Sequence, residues 1–450
     1  MDGTTDVGVR TTESHRDLFG FRLIAPLALG SMLNPVNSTM ISTALIPIAT
    51  HFHATLAQTS WLIGGLYITS AIAQPTMGRL ADCPGARRVY LAGLYLIALA
   101  GIAGIFAPSL RALILRNQAA MTTSVEPRMA LGILSMSALS TMAVGPALGG
   151  ILNGLGGWRM VFSVNLSLAL VGILLAFMWI PNDETKPRGF GKFVREIDFI
   201  GIALFTGLLL TGMLFLTNVA HPNWSLLALF VVLGILVVFH SLLKNKPFID
   251  IRMLVNNLPL TATYLRYGTF CLMAYGMLYG FSQSLQSGPG LSSTKASLIT
   301  LPMSVLAAVS ALVGGRLKSV RNPLIFGTVG LLFAVGCIAV ITSGTITLLL
   351  VLLVLPFGIP QGICSNANQA AVYAQAPEKE LGTAAGLLRT SQYVGAILAA
   401  SLLGVLFGKH PTDHGMHSLA WVMVGLSAAL LIATAMDRTL PSAAVSELAR

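Results

Sequence analysis

Three arginines stand inside long apolar stretches of the chain, where an ionised side chain is costly and marks a functional site by default. They are Arg116, Arg266 and Arg389, and the apolar stretches contain no Asp or Glu to balance them. A guanidinium in such surroundings can bind an anion or help to move charge across a membrane. Arg266 and Arg389 lie about two helical turns from the ends of their stretches, so snorkelling to the surface is an alternative for both.

Neutral polar side chains occur in the same stretches and could line a solvent path. Asn34 and Asn37 lie in the first stretch. Others of the same kind are Tyr67, Gln74, Gln283, Asn366, Gln369 and Gln392. Each of them could equally join two helices, because a polar side chain in hydrocarbon needs a hydrogen-bond partner.

The composition places the whole chain in a membrane. Hydrophobic residues make up 55% of the 450 residues, charged residues 10%, and the mean hydropathy is +0.79, whereas soluble domains are about 25% charged. No soluble domain could bury so much apolar surface, so we predict an integral protein of the lipid bilayer. Residues 1–20 lack the apolar core of a signal peptide, and the first stretch is therefore expected to remain as an anchor.

Fourteen apolar stretches are long enough to cross about 30 Å of hydrocarbon as helices, so the predicted fold class is all-α. We expect two pseudo-symmetric six-helix bundles at 23–180 and 259–436, with two inserted helices at 198–243. The remaining segments are two cytoplasmic tails at 1–22 and 437–450 and two cytoplasmic linkers at 181–197 and 244–258. A short repeat supports this division, because Gly315-Arg316-Leu317 echoes Gly78-Arg79-Leu80 between another pair of stretches.

The basic residues predict the orientation. Of the 27 Lys and Arg residues, 20 fall on the side of the N-terminus, four on the opposite side and three inside the stretches. Basic residues concentrate in cytoplasmic loops, so both termini are expected in the cytoplasm. The net charge of +11 is spread over short loops between apolar stretches, which argues against a nucleic-acid partner.

Neither a cofactor nor a metal site is expected. The four cysteines, Cys83, Cys271, Cys337 and Cys364, have no paired spacing, which excludes the usual disulfide and zinc patterns. His51 and His53 could form a two-residue metal pair, but a solvated loop explains them better. The sequence has no G-x-x-x-x-G-K-[ST] loop to hold ATP phosphates, and nothing else in it indicates an enzyme.

A polar turn separates the second and third apolar stretches. It reads Gly78-Arg79-Leu80-Ala81-Asp82-Cys83-Pro84-Gly85-Ala86-Arg87-Arg88. Gly78 allows a close helix approach, Asp82 can accept from backbone N–H groups or pair with a cation, and Gly85 supplies the turn. The final pair of arginines holds the loop on the cytoplasmic side.

This turn resembles the loop signature of the major facilitator superfamily, G-x-L-A-D-x-x-G-x-[RK]-[RK], with every fixed position met. The resemblance extends over about residues 22–436. It implies a conformational-switch loop formed by Gly78, Arg79, Asp82, Gly85, Arg87 and Arg88.

The fifth apolar stretch contains Val144-Gly145-Pro146-Ala147-Leu148-Gly149-Gly150. Three glycines and a proline weaken a helix, so packing or bending must compensate. The segment resembles the G-P-x-x-G-G signature of antiporters in this superfamily, which implies a tight, bendable contact at Gly145, Pro146, Gly149 and Gly150. Gly157-Trp158-Arg159, followed by Phe162 and Asn165, resembles the entry to the sixth helix in the fourteen-helix drug/proton antiporter branch.

Two departures qualify the resemblance. That branch carries an Asp in its first helix where this chain has Asn37, which cannot ionise but can hydrogen-bond a substrate or a helix. Arg116-Asn117-Gln118 resembles the fourth-helix signature R-x-x-Q-G, linked to proton transfer, but it lacks one residue before Gln118 and the glycine after it. The fourth stretch, 109–125, is barely long enough to span. Either the bilayer thins there, or a deletion impairs function.

The resemblance implies a monomeric secondary transporter of the plasma membrane. It would export drug-like or amphiphilic small molecules by alternating access, with protons as the coupling ion. The predicted substrate and proton pathway contains Asn34, Asn37, Arg116, Gln118, Arg266 and Arg389. A transport-dead or regulatory paralogue that binds a ligand or partner is the alternative, supported by the missing carboxylate and the short fourth stretch.

The unbalanced arginines predict a cavity that favours neutral or anionic amphiphiles over permanent cations. Two unit charges about 8 Å apart, at an effective dielectric constant of about 20, interact by roughly 2 kcal/mol. Proton coupling would then use a loop carboxylate such as Asp82 or a protonated substrate, and the sequence leaves both open.

Overall fold

The computed structural model describes most of the chain. The described residues are 21–80, 86–114, 145–181, 198–217, 222–244, 247–249, 251–287, 290–314, 319–342, 344–377, 381–407 and 411–440. Across these ranges the regular elements are helices, with no strand. The all-α fold predicted from the apolar stretches is confirmed.

A first group of helices covers the described part of residues 21–179. Its members are α1 (Phe21–His51), the short α2 (Leu56–Thr59), α3 (Trp61–Leu80), α4 (Ala86–Ile105), α5 (described at 110–114), α6 (described at 145–156) and α7 (Trp158–Trp179). Helix α7 packs against both α1 and α4. In lipid each of these segments must satisfy its own backbone hydrogen bonds, which a continuous helix does.

A second and a third group follow. The second group is α8 (Phe199–Thr217), α9 (Trp224–Leu243) and the short α10 (Ile251–Asn256). The third group is α11 (Leu258–Ser287), α12 (Ser293–Gly314), α13 (Arg321–Ile338), α14 (Thr347–Val354), α15 (Gly358–Gln375), α16 (Leu381–Phe407) and α17 (Asp413–Met436). A 3-10 turn at Leu355–Phe357 joins α14 to α15, because Pro356 lacks the N–H that an α-helix would use there.

Hydrogen bonds between helix ends define two sides of the molecule. On the near side, which carries Phe21, the Tyr90 hydroxyl of α4 donates to the Pro26 carbonyl of α1. On the far side, which carries His51, Arg159 Nε of α7 donates to the Ile105 carbonyl of α4 at 3.2 Å. Helices α1 and α4 therefore run in the same direction, and α7 runs in the opposite direction.

Burial separates helices at the centre from helices at the lipid surface. Nine helical stretches of the described part are long and apolar enough to cross a membrane. Helix α11 is not among them although it has 30 residues, because Tyr, Gln and Ser lower its hydropathy, and 20 of its residues are buried in the protein. Helix α9 is the opposite case: Ser241 is its one buried residue, so its apolar surface faces outward.

The inserted hairpin of α8 and α9 reaches both other groups through α8. That helix packs against α3 of the first group and α16 of the third. A Cβ added to Gly64 of α3 would come within 2.6 Å of Met213 Sδ of α8, so the two helices pack closely at that point. Helix α8 therefore lies beside the boundary between the first and third groups.

The carboxylate of Asp198 closes the near-side end of this hairpin. Asp198 precedes α8, and its Oδ1 accepts from His240 Nε2 at 2.7 Å and from Lys244 Nζ at 3.0 Å. The backbone N–H of Gly201 also donates to Oδ1, at 3.0 Å, and the backbone N–H of Phe248 donates to Oδ2 at 2.9 Å. One buried side chain thus joins the start of α8, the end of α9 and the segment that follows.

The predicted polar turn at 78–88 is shorter in the structure. Helix α3 continues to Leu80 and α4 begins at Ala86, so Arg87 and Arg88 lie in the first turn of α4 rather than in a loop. Arg87 Nη2 donates to the Phe177 carbonyl of α7 at 3.2 Å, and its guanidinium stacks 5.8 Å from the Phe177 ring centre.

Candidate functional site

A small cavity lies between α1 and the helices of the third group. Its volume is about 50 Å³, enough for a few water molecules at roughly 10–15 Å³ each. Its lining is mainly aromatic, small and polar: Pro35, Tyr267, Phe270, Cys271, Ala274, Tyr275, Ala307, Ala311, Gln361, Gly362, Ser365, Arg389 and Gln392. Among the described residues of this lining, Arg389 is the one charged side chain. The buried Gln361 Oε1 has no hydrogen-bond partner there, so it can accept from a ligand.

Arg389 is held by its neighbour on α16. Its Nη1 donates to Gln392 Oε1 at 3.1 Å. Gln392 Nε2 in turn donates to the hydroxyl of Tyr275 on α11 at 2.9 Å. A polar chain therefore runs from the cavity arginine into the contact between α11 and α16.

Four buried tyrosines adjoin this chain and connect the first and third groups. The Tyr67 hydroxyl of α3 lies 2.8 Å from the Tyr279 hydroxyl of α11. The Tyr67 ring centre lies 5.2 Å from that of Tyr275 and 5.5 Å from that of Tyr393 on α16, within the range of favourable ring pairs. We call Tyr67, Tyr275, Tyr279 and Tyr393 the tyrosine cluster. It lies on the far side of the cavity.

A second contact between the two groups lies further toward the far side. The Thr294 hydroxyl of α12 donates to the Gly150 carbonyl of α6 at 2.8 Å, and Asn153 Nδ2 of α6 donates to Ser293 Oγ of α12. A Cβ added to Gly150 would lie 2.7 Å from the Ser293 carbonyl oxygen. Helices α6 and α12 are therefore in backbone-to-backbone contact, which closes the far side at this point.

The other two glycines predicted for this segment face a different helix. Gly145 packs on α1, where an added Cβ would lie 2.9 Å from Thr39 Cβ. At Gly149 the added atom would lie 2.8 Å from Met40 Cα. The predicted tight contact thus has two parts: Gly145 and Gly149 join α6 to α1 within the first group, and Gly150 joins it to the third. Pro146 is also buried.

Asn37 makes a contact inside the first group. Its Oδ1 accepts from Asn165 Nδ2 of α7 at 2.7 Å, and both side chains are buried. Neither residue is part of the cavity lining. Asn366, another polar candidate, donates to the Ala311 carbonyl and joins α15 to α12.

Arg266 on α11 has an acidic partner at the end of α17. Its Nη2 forms an ion pair with Asp437, the residue that follows α17, and the Arg266 side chain is 4% exposed. Arg266 does not line the cavity. The expectation that no acid balances this arginine therefore needs correction, since Asp437 lies just beyond the last apolar stretch and reaches back to α11.

Part of the predicted site lies outside the described residues. These are Asp82, Gly85, Arg116 and Gln118. Gly78 and Arg79 are in the last turn of α3 and Asn34 is in α1, and their side chains are not described. Of the predicted pathway, the structure thus brings Arg389 to the cavity and places Asn37 and Arg266 in contacts between helices.

Most of the tyrosine cluster was not predicted from the sequence. Tyr67 and Gln392 were expected as polar candidates, whereas Tyr275, Tyr279 and Tyr393 were not. A signal was present, because Tyr267, Cys271, Tyr275 and Tyr279 recur every four residues. That spacing places them along one face of a helix.

Comparisons with known proteins agree on one family. A model of the Major Facilitator Superfamily matches residues 27–400. The chain is 32% identical over 435 residues to "Uncharacterized MFS-type transporter YwoD" of Bacillus subtilis, covering 91% of this chain and 95% of that protein. It is 26% identical over 416 residues to "Multidrug efflux pump LfrA" of Mycolicibacterium smegmatis, covering 85% and 80%. The solved human organic anion transporter MFSD10 (TETRAN) shares the fold, with a TM-score of 0.60 at 16% identity over 92% of this chain and 99% of that one.

Proposed function

Because the chain belongs to the major facilitator superfamily, and is thus a membrane transporter and not an enzyme, we propose that it exports drug-like or amphiphilic small molecules by alternating access. The observation that carries this proposal is the cavity between α1 and the third group, with aromatic and polar lining and closed contacts on its far side. A site of that kind, between two helical groups near the middle of the membrane, is where such transporters bind their substrates. The similarity to a multidrug efflux pump supports export of drug-like compounds.

The proposed substrates are neutral or anionic amphiphiles. Tyr267, Phe270 and Tyr275 offer apolar ring surface, and Arg389 offers a positive charge that repels a permanent cation. Gln361 Oε1 accepts a hydrogen bond from a substrate hydroxyl or amide. The cavity in this structure is too small for a drug-sized molecule, since ligand pockets measure about 300–1,000 Å³. Substrate entry therefore requires the helices around it to move apart.

The near side is proposed to be the cytoplasmic side of a plasma membrane, from the excess of basic residues there. The described pathway residues supply no carboxylate, because Asn37 is an amide and Arg266 is paired with Asp437 at the near end. Coupling to protons would then use a loop carboxylate such as Asp82 or a protonated substrate. We propose two inserted helices, α8 and α9, between two six-helix bundles that move against each other in a monomer.

Uptake into inside-out vesicles from an efflux-deficient host tests this function. The panel contains anionic, neutral and quaternary ammonium dyes of similar size, each measured with and without an acidic lumen. We expect uptake of the anionic and neutral dyes that depends on the pH gradient. Uptake of the quaternary dyes alone would contradict the substrate class. No uptake of any compound by well-folded protein would favour the transport-dead alternative.

A further inference from the structure

The hydrogen-bond chain that begins at Arg389 leads out of the cavity. Gln392 uses both ends of its amide: Oε1 accepts from Arg389 and Nε2 donates to the Tyr275 hydroxyl. The Tyr275 ring in turn packs on Tyr67 at 5.2 Å and on Tyr279 at 5.6 Å between ring centres. The side chain that would meet a substrate is thus two hydrogen bonds from the tyrosine cluster.

Tyr67 is the member of the tyrosine cluster that comes from the first group, so its contacts join the two helical groups. Tyr67 belongs to α3, whereas Tyr275 and Tyr279 belong to α11 and Tyr393 to α16. All four side chains are buried, with Tyr67 and Tyr279 at most 1% exposed. A path from the cavity to the far side through this cluster requires Tyr67 to separate from the other three rings.

An organic anion would compete with Gln392 for Arg389. Its carboxylate or sulfonate forms charge-assisted bonds to a guanidinium, roughly twice as strong as the bond to a neutral amide oxygen. An anion that takes Nη1 leaves Gln392 Oε1 without its donor. The amide is then held at one end only, and the position of the Tyr275 hydroxyl is no longer fixed from α16.

We propose that Arg389 binds the anionic group of a transported molecule and that Gln392 passes this binding on to the tyrosine cluster, which then opens on the far side. The proposal rests on the transport function proposed above and identifies organic anions as the substrates that speed opening, whereas neutral substrates leave when the far side opens spontaneously. Gln392 is a positioning residue in it, since it acts through Tyr275 rather than on the substrate.

Thiol labelling on purified full-length protein in nanodiscs tests the proposal without any assumption about orientation. The reporter is Ser297→Cys, because Ser297 is 1% exposed and faces Gly150 in the contact between α6 and α12. A hydrophilic maleimide is added, and mass spectrometry of the labelled peptide separates the introduced thiol from the native cysteines. The probes are 1-naphthoate and its neutral amide, 1-naphthamide, which differ in charge but hardly in size.

We expect 1-naphthoate to raise the labelling rate of the introduced thiol and 1-naphthamide to leave it unchanged. In Gln392→Leu, 1-naphthoate should still bind by calorimetry but no longer change labelling, and Gln392→Asn should restore part of the response. In Arg389→Gln both binding and response should be lost. Equal responses to the two probes, or an unchanged response in Gln392→Leu, would overturn the proposal.

A second pair of variants tests the tyrosine cluster itself. Tyr67→Phe keeps the ring but removes the hydrogen bond to Tyr279, and it should raise basal labelling about fivefold, the population shift for one buried hydrogen bond. The matched control is Tyr90→Phe, which removes a buried tyrosine hydrogen bond inside the first group and should not change labelling. Equal labelling in both variants would show that the cluster is not the closure. Vesicle export is measured in parallel, so that a protein that transports without using the cluster as its closure can be told apart from a protein that does not transport.

Discussion

At the scale of residues, two arginines of like charge have different surroundings. Arg266 on α11 is paired with Asp437 at the near end of α17, whereas Arg389 on α16 lines the cavity and donates to a neutral glutamine. A buried pair that loses one partner leaves an unbalanced charge. We therefore assign Arg266 to the stability of the third group and propose Arg389 for the interaction with a substrate.

We predict that Arg266→Gln destabilises the protein by about 3 kcal/mol, because it leaves Asp437 without its charge partner. Thermal unfolding in detergent, followed by the loss of monodisperse protein, would measure the change. The double variant Arg266→Met, Asp437→Leu removes both charges and should recover most of the stability. If the double variant is no more stable than Arg266→Gln, the ion pair is not what the arginine contributes.

Arg389→Gln should reduce transport and leave the stability nearly unchanged, in contrast to Arg266→Gln. We expect near wild-type thermal stability, since the substituted side chain can still hydrogen-bond Gln392, and at least a tenfold loss in transport of anionic dyes, as for a lost charge-assisted contact of roughly 1.5–3 kcal/mol. Transport of neutral dyes should change less than threefold. Equal losses for anionic and neutral dyes would show that the charge does not select the substrate.

At the scale of elements, α6 contacts α1 through Gly145 and Gly149 and contacts α12 through Gly150. The contact with α12 must break if the far side opens, whereas the contacts with α1 lie within one group. The same helix can therefore hold its group together and serve as a removable contact with the other group.

Gly150→Ala should shift the protein toward a state that is open on the far side. The added Cβ would lie 2.7 Å from the Ser293 carbonyl oxygen, a backbone atom that cannot move aside as a side chain can. Spin labels at Leu155→Cys and Lys295→Cys, both exposed, would report the distance between α6 and α12. We expect a longer distance to dominate in Gly150→Ala than in the labelled parent protein.

Gly149→Ala is the matched comparison, because it adds the same methyl group to the same helix but directs it at α1. The added Cβ would lie 2.8 Å from Met40 Cα, so the clash falls inside the first group and should lower the yield of folded protein. It should not lengthen the distance between the two labels. An unchanged distance in Gly150→Ala would contradict the assignment of its contact to the closure.

The inserted hairpin depends on Asp198 at its near-side end. Burial alone would raise the pKa of this carboxyl, but hydrogen bonds from His240, Gly201 N–H, Lys244 and Phe248 N–H outweigh it and lower the pKa to about 2. Because the folded pKa lies below the ordinary value of about 3.9, the stabilisation is complete above that value and is lost as the pH falls toward 2.

Asp198→Asn should therefore lower the melting temperature at pH 6, and the difference from the wild type should fall by roughly half at pH 3. Melting in detergent at the two pH values would measure both differences. Ser241→Ala serves as a comparison, because the Ser241 hydroxyl donates to the Ile249 carbonyl in the same region without titrating. A difference for Asp198→Asn that does not depend on pH would mean that the charge of Asp198 is not what stabilises the hairpin.

The helices were predictable from the sequence, and the closure of the cavity was not. Each long apolar stretch is a local signal, and it predicts a described helix. Some helix ends were not predicted, because a helix such as α3 continues to Leu80, beyond the end of its apolar stretch. The tyrosine cluster joins Tyr67 to Tyr279, which are 212 residues apart, and no local pattern gives the register between two helices so distant. The partner of Arg266 was missed for a related reason, because Asp437 lies outside the stretches in which acids were sought.

At the scale of the whole molecule, the described helices of the first and third groups are in contact on the far side. The contacts of Tyr67 with Tyr279 and of Thr294 with Gly150 both join the first and third groups on that side. Export by alternating access requires a second state in which these contacts are broken. We therefore expect the observed closure to open once in every transport cycle.

A reversible cross-link across the closure tests this expectation most directly. Asn153 and Ser293 are hydrogen-bonded between α6 and α12, so Asn153→Cys with Ser293→Cys places two thiols side by side. In proteoliposomes we predict that oxidation of this double variant stops transport of an anionic dye and that dithiothreitol restores it, while each single variant is unaffected by the oxidant. Undiminished transport by fully cross-linked protein would contradict the expectation.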